Sequence, residues 1–250
     1  MSVLEVSGLV LAGIGGGLTG SIAGLASLVT YPALLAVGLS PIGANVTNTV
    51  ALVWSSVGST VGSRPELVGQ ATRIRRLVPL AVVAGAVGAA LALLTPSGLF
   101  ARIVPWLILA AALAIVARRR GPVLAPGEVV AADRRGLPWA VAAIGVYGGY
   151  FGAAAGVVLL AVLLAATSDS FARVTATKNV VLGAANAAGA VVFAVWGPVR
   201  WTTAVPLAVG CFVGARLGPV VVRRVPTGPL RLVIGVLGVG LAGVLAYRAY

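Results

Sequence analysis

Lys178 is the only lysine in the chain, and it stands between Thr177 and Asn179 at the head of an apolar stretch. A lysine ammonium is a compact point charge with three donors, a good match to a tetrahedral or pyramidal oxyanion. The same residue at a helix end also serves simply to snorkel to a membrane interface. A matching polar cluster, Asn45, Thr47, Asn48 and Thr49, opens an earlier stretch, and Ser55, Ser56 and Asn186 follow further along the two stretches. Asn48, Thr49 and Asn179 suit either ligand contact or the capping of helix-end N–H groups. Ser55 and Asn186 suit either a ligand or hydrogen bonds between helices. What is missing narrows the chemistry. No histidine and one cysteine leave no His/Cys metal site and no triad with a histidine base. Cys211, alone among small residues, reads as packing. The apolar stretches hold no acid–base pair, so an enzyme is disfavoured, and no cofactor is implied.

The elements that must position these residues follow from composition. Of 250 residues 60% are apolar and 9% charged, against about 25% charged in a soluble domain. The chain is therefore expected to be a polytopic, all-α membrane protein, with length for about six to eight spans of roughly 20 residues. The net charge of +13 does not point to nucleic acid, because the arginines fall in short clusters between apolar runs. No basic residue precedes Arg64, so the basic region of a secretory signal is lacking and the first apolar segment is expected to be retained. Between Val6 and Ser63 no side chain is ionised. Further apolar stretches run Leu77–Ser97, Gly98–Ala117, Leu137–Thr167, Asn179–Val199, Trp201–Val222 and Leu230–Tyr247. A polar linker, 118–136, divides a first unit, 1–117, from a second, 137–250.

The two units resemble each other. Gly16-Gly17-x-x-Gly20-x-x-x-Gly24 recurs as Gly148-Gly149-x-x-Gly152-x-x-x-Gly156, and Asn48-Thr49-Val50-x-Leu52 as Lys178-Asn179-Val180-x-Leu182. Pro79-Leu-Ala-Val82 recurs as Pro206-Leu-Ala-Val209, and Val87-Gly-Ala89 as Val213-Gly-Ala215. Duplication of this kind is a common transporter plan. Each unit begins with a glycine-interrupted segment, Gly8–Gly38 or Leu137–Thr167, too short to cross a bilayer twice. Clustered glycine favours a break at the double glycine, and it also favours close helix packing. If all segments cross, eleven basic residues share one side and seven the other. If these two segments are re-entrant hairpins, fifteen lie inside and only Arg102, Arg200 and Arg248 outside. The positive-inside rule prefers the second arrangement. The expectation is two inverted repeats, each a broken re-entrant segment plus three transmembrane helices, with the N-terminus outside and the linker cytoplasmic.

The ordered set IGGGLTGSIAG, NVTNTVAL and a Pro-Leu-Ala…Val-Gly-Ala helix, repeated as GVYGGYFGAAAG, ATKNVVLG and its own Pro-Leu-Ala helix, resembles the sulfite exporter TauE/SafE family, also called the toluene sulfonate uptake permease family. The resemblance covers nearly the whole chain. It implies secondary transport of small sulfur-containing anions, such as sulfite, sulfoacetate or other organosulfonates, across the cytoplasmic (inner) membrane. One run departs from the family: Leu18-Thr19-Gly20-Ser21-Ile22-Ala23-Gly24 carries hydroxyls where many relatives are more apolar.

The residues point the same way without that likeness. A break inside the membrane frees the N–H groups and positive dipole end of the next half-helix, which attract anions. Two breaks meeting near the midplane would form one central site. The expected substrate-binding set is Gly16, Gly17, Gly20, Gly148, Gly149 and Gly152, then Asn48, Thr49, Lys178 and Asn179, then Ser55 and Asn186. Tyr147 and Tyr150 flank the second break as gate or packing, and Trp54, Trp106, Trp139, Trp196 and Trp201 suit interfacial belts. Glu5, Glu66, Glu128, Asp133 and Asp169 all lie near segment ends, so no buried carboxylate relay is available. An inside-negative potential drives an anion outward without a co-ion, which favours export. A passive anion channel and a non-transporting membrane scaffold are the competing readings. The partners expected are a small anionic substrate and the lipid bilayer, with no nucleic acid. The Gly and Ala faces serve either a homodimer or packing within the chain.

Overall fold

A computed structural model describes residues 1–117, 133–153 and 155–224. Most of the linker and the whole Leu230–Tyr247 stretch lie outside the described residues. Helix α1 (Val3–Ala23) starts at a reciprocal cap, in which Ser2 Oγ accepts from the Glu5 amide and the Glu5 carboxylate accepts from the Ser2 amide. It ends where Gly24 turns left-handed, and α2 (Ala26–Ala36) follows at once. Ser40 caps α3 (Pro41–Gly62), with Pro41 in its first turn. A single turn, α4 (Arg64–Leu67), leads to α5 (Ala71–Leu94) and α6 (Ser97–Ala117). The second unit holds α7 (Asp133–Tyr150), α8 (Ala155–Ala166), α9 (Phe171–Trp196) and α10 (Trp201–Arg224). Among the described residues every regular element is a helix.

Two expected boundaries move. Gly16-Gly17 and Gly148-Gly149 do not break their helices; α1 and α7 run through them. Packing is the reason. Gly17 lies against the backbone of Cys211 and Ala215 on α10, and Gly149 against Gly85 on α5, with no room for a methyl at either. Such close approach offsets the roughly 1 kcal/mol that a helical glycine costs. The chain breaks instead just after, at Gly24 (φ 79°) and Gly152 (φ 72°), in a conformation that only glycine adopts readily. The second shift is that α9 begins at Phe171, not at Asn179. Lys178 and Asn179 therefore lie within a helix capped by Ser170, as Asn48 and Thr49 lie within one capped by Ser40.

The glycine contacts also set helix directions. Gly13 touches Gly210, Gly17 touches Cys211 and Gly218 touches Ser21, so α1 and α10 run parallel. Gly58 meets Phe212 and Gly62 meets Arg216, so α3 runs with them. In the other group, Gly145 meets Ala81 and Gly88 meets Tyr150, while Gly85 meets Ala185 and Gly189 meets Ala89, so α5, α7 and α9 are mutually parallel. The two groups join where α3 crosses α9, and there the contacts run in reverse: Ser56 with Gly183, Val46 with Gly197. Both glycine-rich segments are hairpins. Gly16 faces Thr30 and Gly20 faces Ala26, so α2 doubles back on α1. The start of α7, at Leu137 and Pro138, and the end of α8, at Ala166 to Ser168, border one cavity beside α5. The two tips meet, with the backbone of Gly24 directly on Gly156 and Val157.

Helices α1, α5, α9 and α10 are long and apolar enough to cross a membrane. Helix α3 is as long, but it is polar on the inside: Asn45, Thr47, Asn48, Thr49, Ser55 and Ser59 are buried while Trp54 and Val57 face outward. This inversion of the soluble pattern is what lipid surroundings require. All five tryptophans are more than half exposed on the isolated chain. Trp139, Trp196 and Trp201 sit near helix ends as a belt demands, whereas Trp54 and Trp106 lie well inside their helices.

Ion pairs gather one end of the bundle. Asp169, before α9, pairs with Arg73 of α5 and Arg173 of α9, and Arg173 also donates to the Val68 carbonyl. Arg223, at the end of α10, grips Glu66 with two bonds of 2.7 and 2.9 Å and donates to the Gly62 carbonyl. The arginine-rich loop 64–76 thus shares an end with Arg173 and Arg223. Eight full crossings would have put them at opposite ends; two hairpins put them together. Burial alone would raise the Asp169 carboxyl, but hydrogen bonds from Arg73, Gln70 and Arg173 hold it below its ordinary value. The Arg223 hydrogen bond likewise lowers Glu66, against a smaller opposing effect of burial.

Candidate functional site

A cavity lies where the hairpin tips meet α3 and α9. Gly20, Gly24, Ala26 and Ser27 come from the first tip, and Gly148, Phe151 and Gly152 from the second. Helix α3 adds Thr49, Leu52, Ser55, Ser56 and Ser59, and α9 adds Asn179, Leu182 and Asn186. Counted as space for the centres of water-sized molecules, its volume is about 40 Å³. One water needs roughly 10–15 Å³ on that measure, so the space suits about three waters or one small anion. No lining residue carries an ionisable acid or base.

The hydrogen bonds decide which polar groups remain for a ligand. Thr49, Ser56 and Ser59 donate to carbonyls of their own helix, at Asn45, Leu52 and Ser56. Ser27 Oγ accepts from Asn48 Nδ2 at 3.2 Å, which leaves its O–H to donate. Leu25 gives α2 no side-chain cap and the Leu28 amide turns back to the Leu25 carbonyl at 3.2 Å, so the amides of Ala26 and Ser27 are the ones at this helix start without a helical partner. Asn179 spends one N–H on the Ser21 carbonyl at 3.1 Å and keeps the other. Ser55 of α3 and Asn186 of α9 also line the space. The result is a neutral site rich in donors, with Leu52, Leu182 and Phe151 as apolar walls.

The residues singled out by sequence separate into three groups. Gly20, Thr49, Ser55, Gly148, Gly152, Asn179 and Asn186 line the cavity together. Gly16, Gly17 and Gly149 do not; they seat helices, Gly16 against Thr30 of α2 and the other two against α10 and α5. Asn48 and Lys178 stand behind the wall. Asn48 accepts from Thr30 Oγ1 at 2.6 Å while donating to Ser27, which ties α2 to α3. Lys178 is fully buried and donates to the carbonyls of Gly20 and Ser21, at 2.9 and 3.2 Å, at the C-terminal end of α1. In the repeat Lys178 aligns with Asn48, but the equivalent bond in the first unit comes from Asn45, one turn earlier, which donates to the Tyr150 carbonyl at the end of α7. Each hairpin's first helix is therefore capped by a side chain from the other unit, a cation in one case and a neutral amide in the other.

Sequence reasoning missed Ser27 and Phe151. Ser27 stands one turn past the true break, which was displaced from the double glycine. Phe151 packs edge-on against Tyr31 (5.3 Å) and Phe100 (6.0 Å), closing one side of the cavity. Its signal was an aromatic set between Gly149 and Gly152. Tyr147 and Tyr150 are packing residues here, donating to the Ala153 carbonyl at 2.6 Å and to Thr95 Oγ1 at 3.2 Å.

Long outward-apolar helices, inward-facing polar groups and a small donor-lined cavity at two crossed hairpins are the features of a multi-pass membrane transporter. A profile described as Sulfite exporter TauE/SafE matches residues 9–245, and the chain belongs to that family. It is similar to a protein named Probable membrane transporter protein YfcA in Escherichia coli K12, with the same figures for the O6:H1 and O157:H7 strains. Identity is 28% over 241 residues, covering 94% of this chain and 87% of the relative. No solved structure matches. The family and these relatives are membrane transporters, not enzymes.

Proposed function

We propose that this chain is a secondary transporter of one small oxyanion, with sulfite the leading substrate, and that it exports it across the inner membrane. The observation that carries the reading is the cavity between the hairpin tips: donors from Ser27, Ser55, Asn179, Asn186 and the start of α2 converge on a space of about 40 Å³. That volume takes a three-oxygen headgroup and little more, which favours sulfite over an aryl sulfonate. Substrate contact belongs to the lining residues, with Gly20, Gly148 and Gly152 providing backbone close to the ligand. Two inverted repeats, 1–117 and 137–250, joined by a cytoplasmic linker, are part of the same proposal. The opposed directions of α1 and α7, of α3 and α9, and of α10 and α5 support it. Neither cavity wall carries a carboxylate to couple a cation, and an inside-negative potential supplies about 2.3 kcal/mol per charge per 100 mV for outward movement of an anion. The test is flux from liposomes holding the purified protein, loaded with labelled sulfite, sulfate, sulfoacetate or thiosulfate. Saturable sulfite efflux that quickens with an inside-negative potential is expected. Absence of protein-dependent flux for all four anions would overturn the proposal.

A further inference from the structure

Helix dipoles do not make this cavity positive by themselves. At each hairpin tip the C-terminal end of one helix lies beside the N-terminal end of the next: α1 beside α2, α7 beside α8. The half-charges are of opposite sign and similar size, so to first order they cancel at the ligand. Something else must favour an anion. Lys178 is the one fully buried cation among the described residues, and its ammonium rests on the Gly20 and Ser21 carbonyls, which are the negative end of α1. Gly20 itself lines the cavity. No carboxylate pairs with the ammonium among the described residues, whose ion pairs all lie at the arginine-rich end. Capping alone does not require a charge, since Asn45 performs the equivalent task on α7 with a neutral amide. A buried cation without a counterion is costly, and an anion one carbonyl away would complete the pair.

We propose that Lys178 is the specificity-determining positive charge of the transport site: it masks the negative end of α1, leaves the start of α2 unopposed, and balances the anion's charge without touching it. This rests on the transport reading above and adds a residue and a selection rule to it. Coulomb attraction scales with ligand charge. Removing the ammonium should therefore weaken a divalent oxyanion by the square of the factor lost for a monovalent one. A change that only loosened the α1 cap would weaken both alike.

The experiment measures inhibition of labelled sulfite flux by methanesulfonate and by sulfate, in liposomes carrying wild type, Lys178→Gln, Lys178→Met or Lys178→Arg. The Gln variant keeps donors for the two carbonyls, the Met variant keeps the length, and the Arg variant keeps the charge. With Gln or Met, inhibition by methanesulfonate should weaken about tenfold and by sulfate about a hundredfold, as one unit charge at close range predicts. Arg should restore most of the difference. Equal losses for the two anions, no loss, or failure of both anions to compete in the wild type despite sulfite flux would overturn the role of Lys178. Absence of flux from the wild type would instead defeat the transport reading itself.

Discussion

The contact between hairpin tips can be tested at Gly24. Two independent costs meet there. Its φ of 79° is left-handed, which burdens any residue with a Cβ by about 1–2 kcal/mol. A methyl at Gly24 would also collide with the backbone of Gly156 and Val157 in the opposite tip, and overpacking of this sort costs about 1–3 kcal/mol. Two neighbours separate the terms. Gly38 has φ 84° with nothing near a built Cβ, so Gly38→Ala isolates the backbone cost. Gly156 lies in the first turn of α8, and a methyl added there would stand 2.5 Å from Gly24 Cα, so Gly156→Ala isolates the collision. Gly24→Ala should therefore lose about 2–5 kcal/mol, roughly the sum of the other two. At roughly 2–4 °C per kcal/mol for a chain of this size, the three variants are resolved by thermal unfolding of the detergent-solubilised protein. Sulfite flux should fall with Gly24→Ala and Gly156→Ala but persist with Gly38→Ala, which leaves the cavity alone. If Gly24→Ala proves no worse than Gly38→Ala, the tips do not touch and the central site has been placed wrongly.

Two further outcomes are expected. The depressed Asp169 carboxyl stabilises the fold at neutral pH, above its ordinary range, and that contribution disappears as pH falls through its lowered folded-state value. Melting temperatures should show Asp169→Asn less stable than wild type at neutral pH and equal to it in strong acid; a gap that widens on acidification would contradict the ion-pair geometry. In a Cys211→Ser background, Pro198→Cys should react with a membrane-impermeant thiol reagent in intact cells, and Val68→Cys only after lysis. Labelling of both from the same side would be incompatible with the bundle's two ends.

Much of this was legible in the residues. Hydropathy without acids in the spans marks a membrane bundle, because a side chain in lipid cannot recruit water to offset a charge. Sorting the arginines by loop favoured hairpins over crossings, and the Arg73–Asp169–Arg173 and Arg223–Glu66 pairs join the loops that this sorting had placed together. The cavity-lining roles of Thr49, Ser55, Asn179 and Asn186 could be anticipated because polar groups in a span must face inward. The glycines were harder. One residue type serves as helix contact at Gly17 and Gly149, as left-handed turn at Gly24 and Gly152, and as cavity wall at Gly20 and Gly148. Sequence lists the candidates, and only the neighbouring backbone says which use each has.

Lys178 marks the division most clearly. That the chain carries a single ammonium beside spans lacking carboxylates is a property of the sequence; that the ammonium is buried rather than snorkelling to an interface follows from α9 beginning at Phe171. Where the ammonium points is set by the fold. The α1 tip brings the Gly20 and Ser21 carbonyls to within 3.2 Å of it, and those carbonyls come from a helix more than 150 positions away. Charge is carried by residue type; burial and direction depend on which distant backbone end arrives beside it, and that is decided only when the hairpins pack.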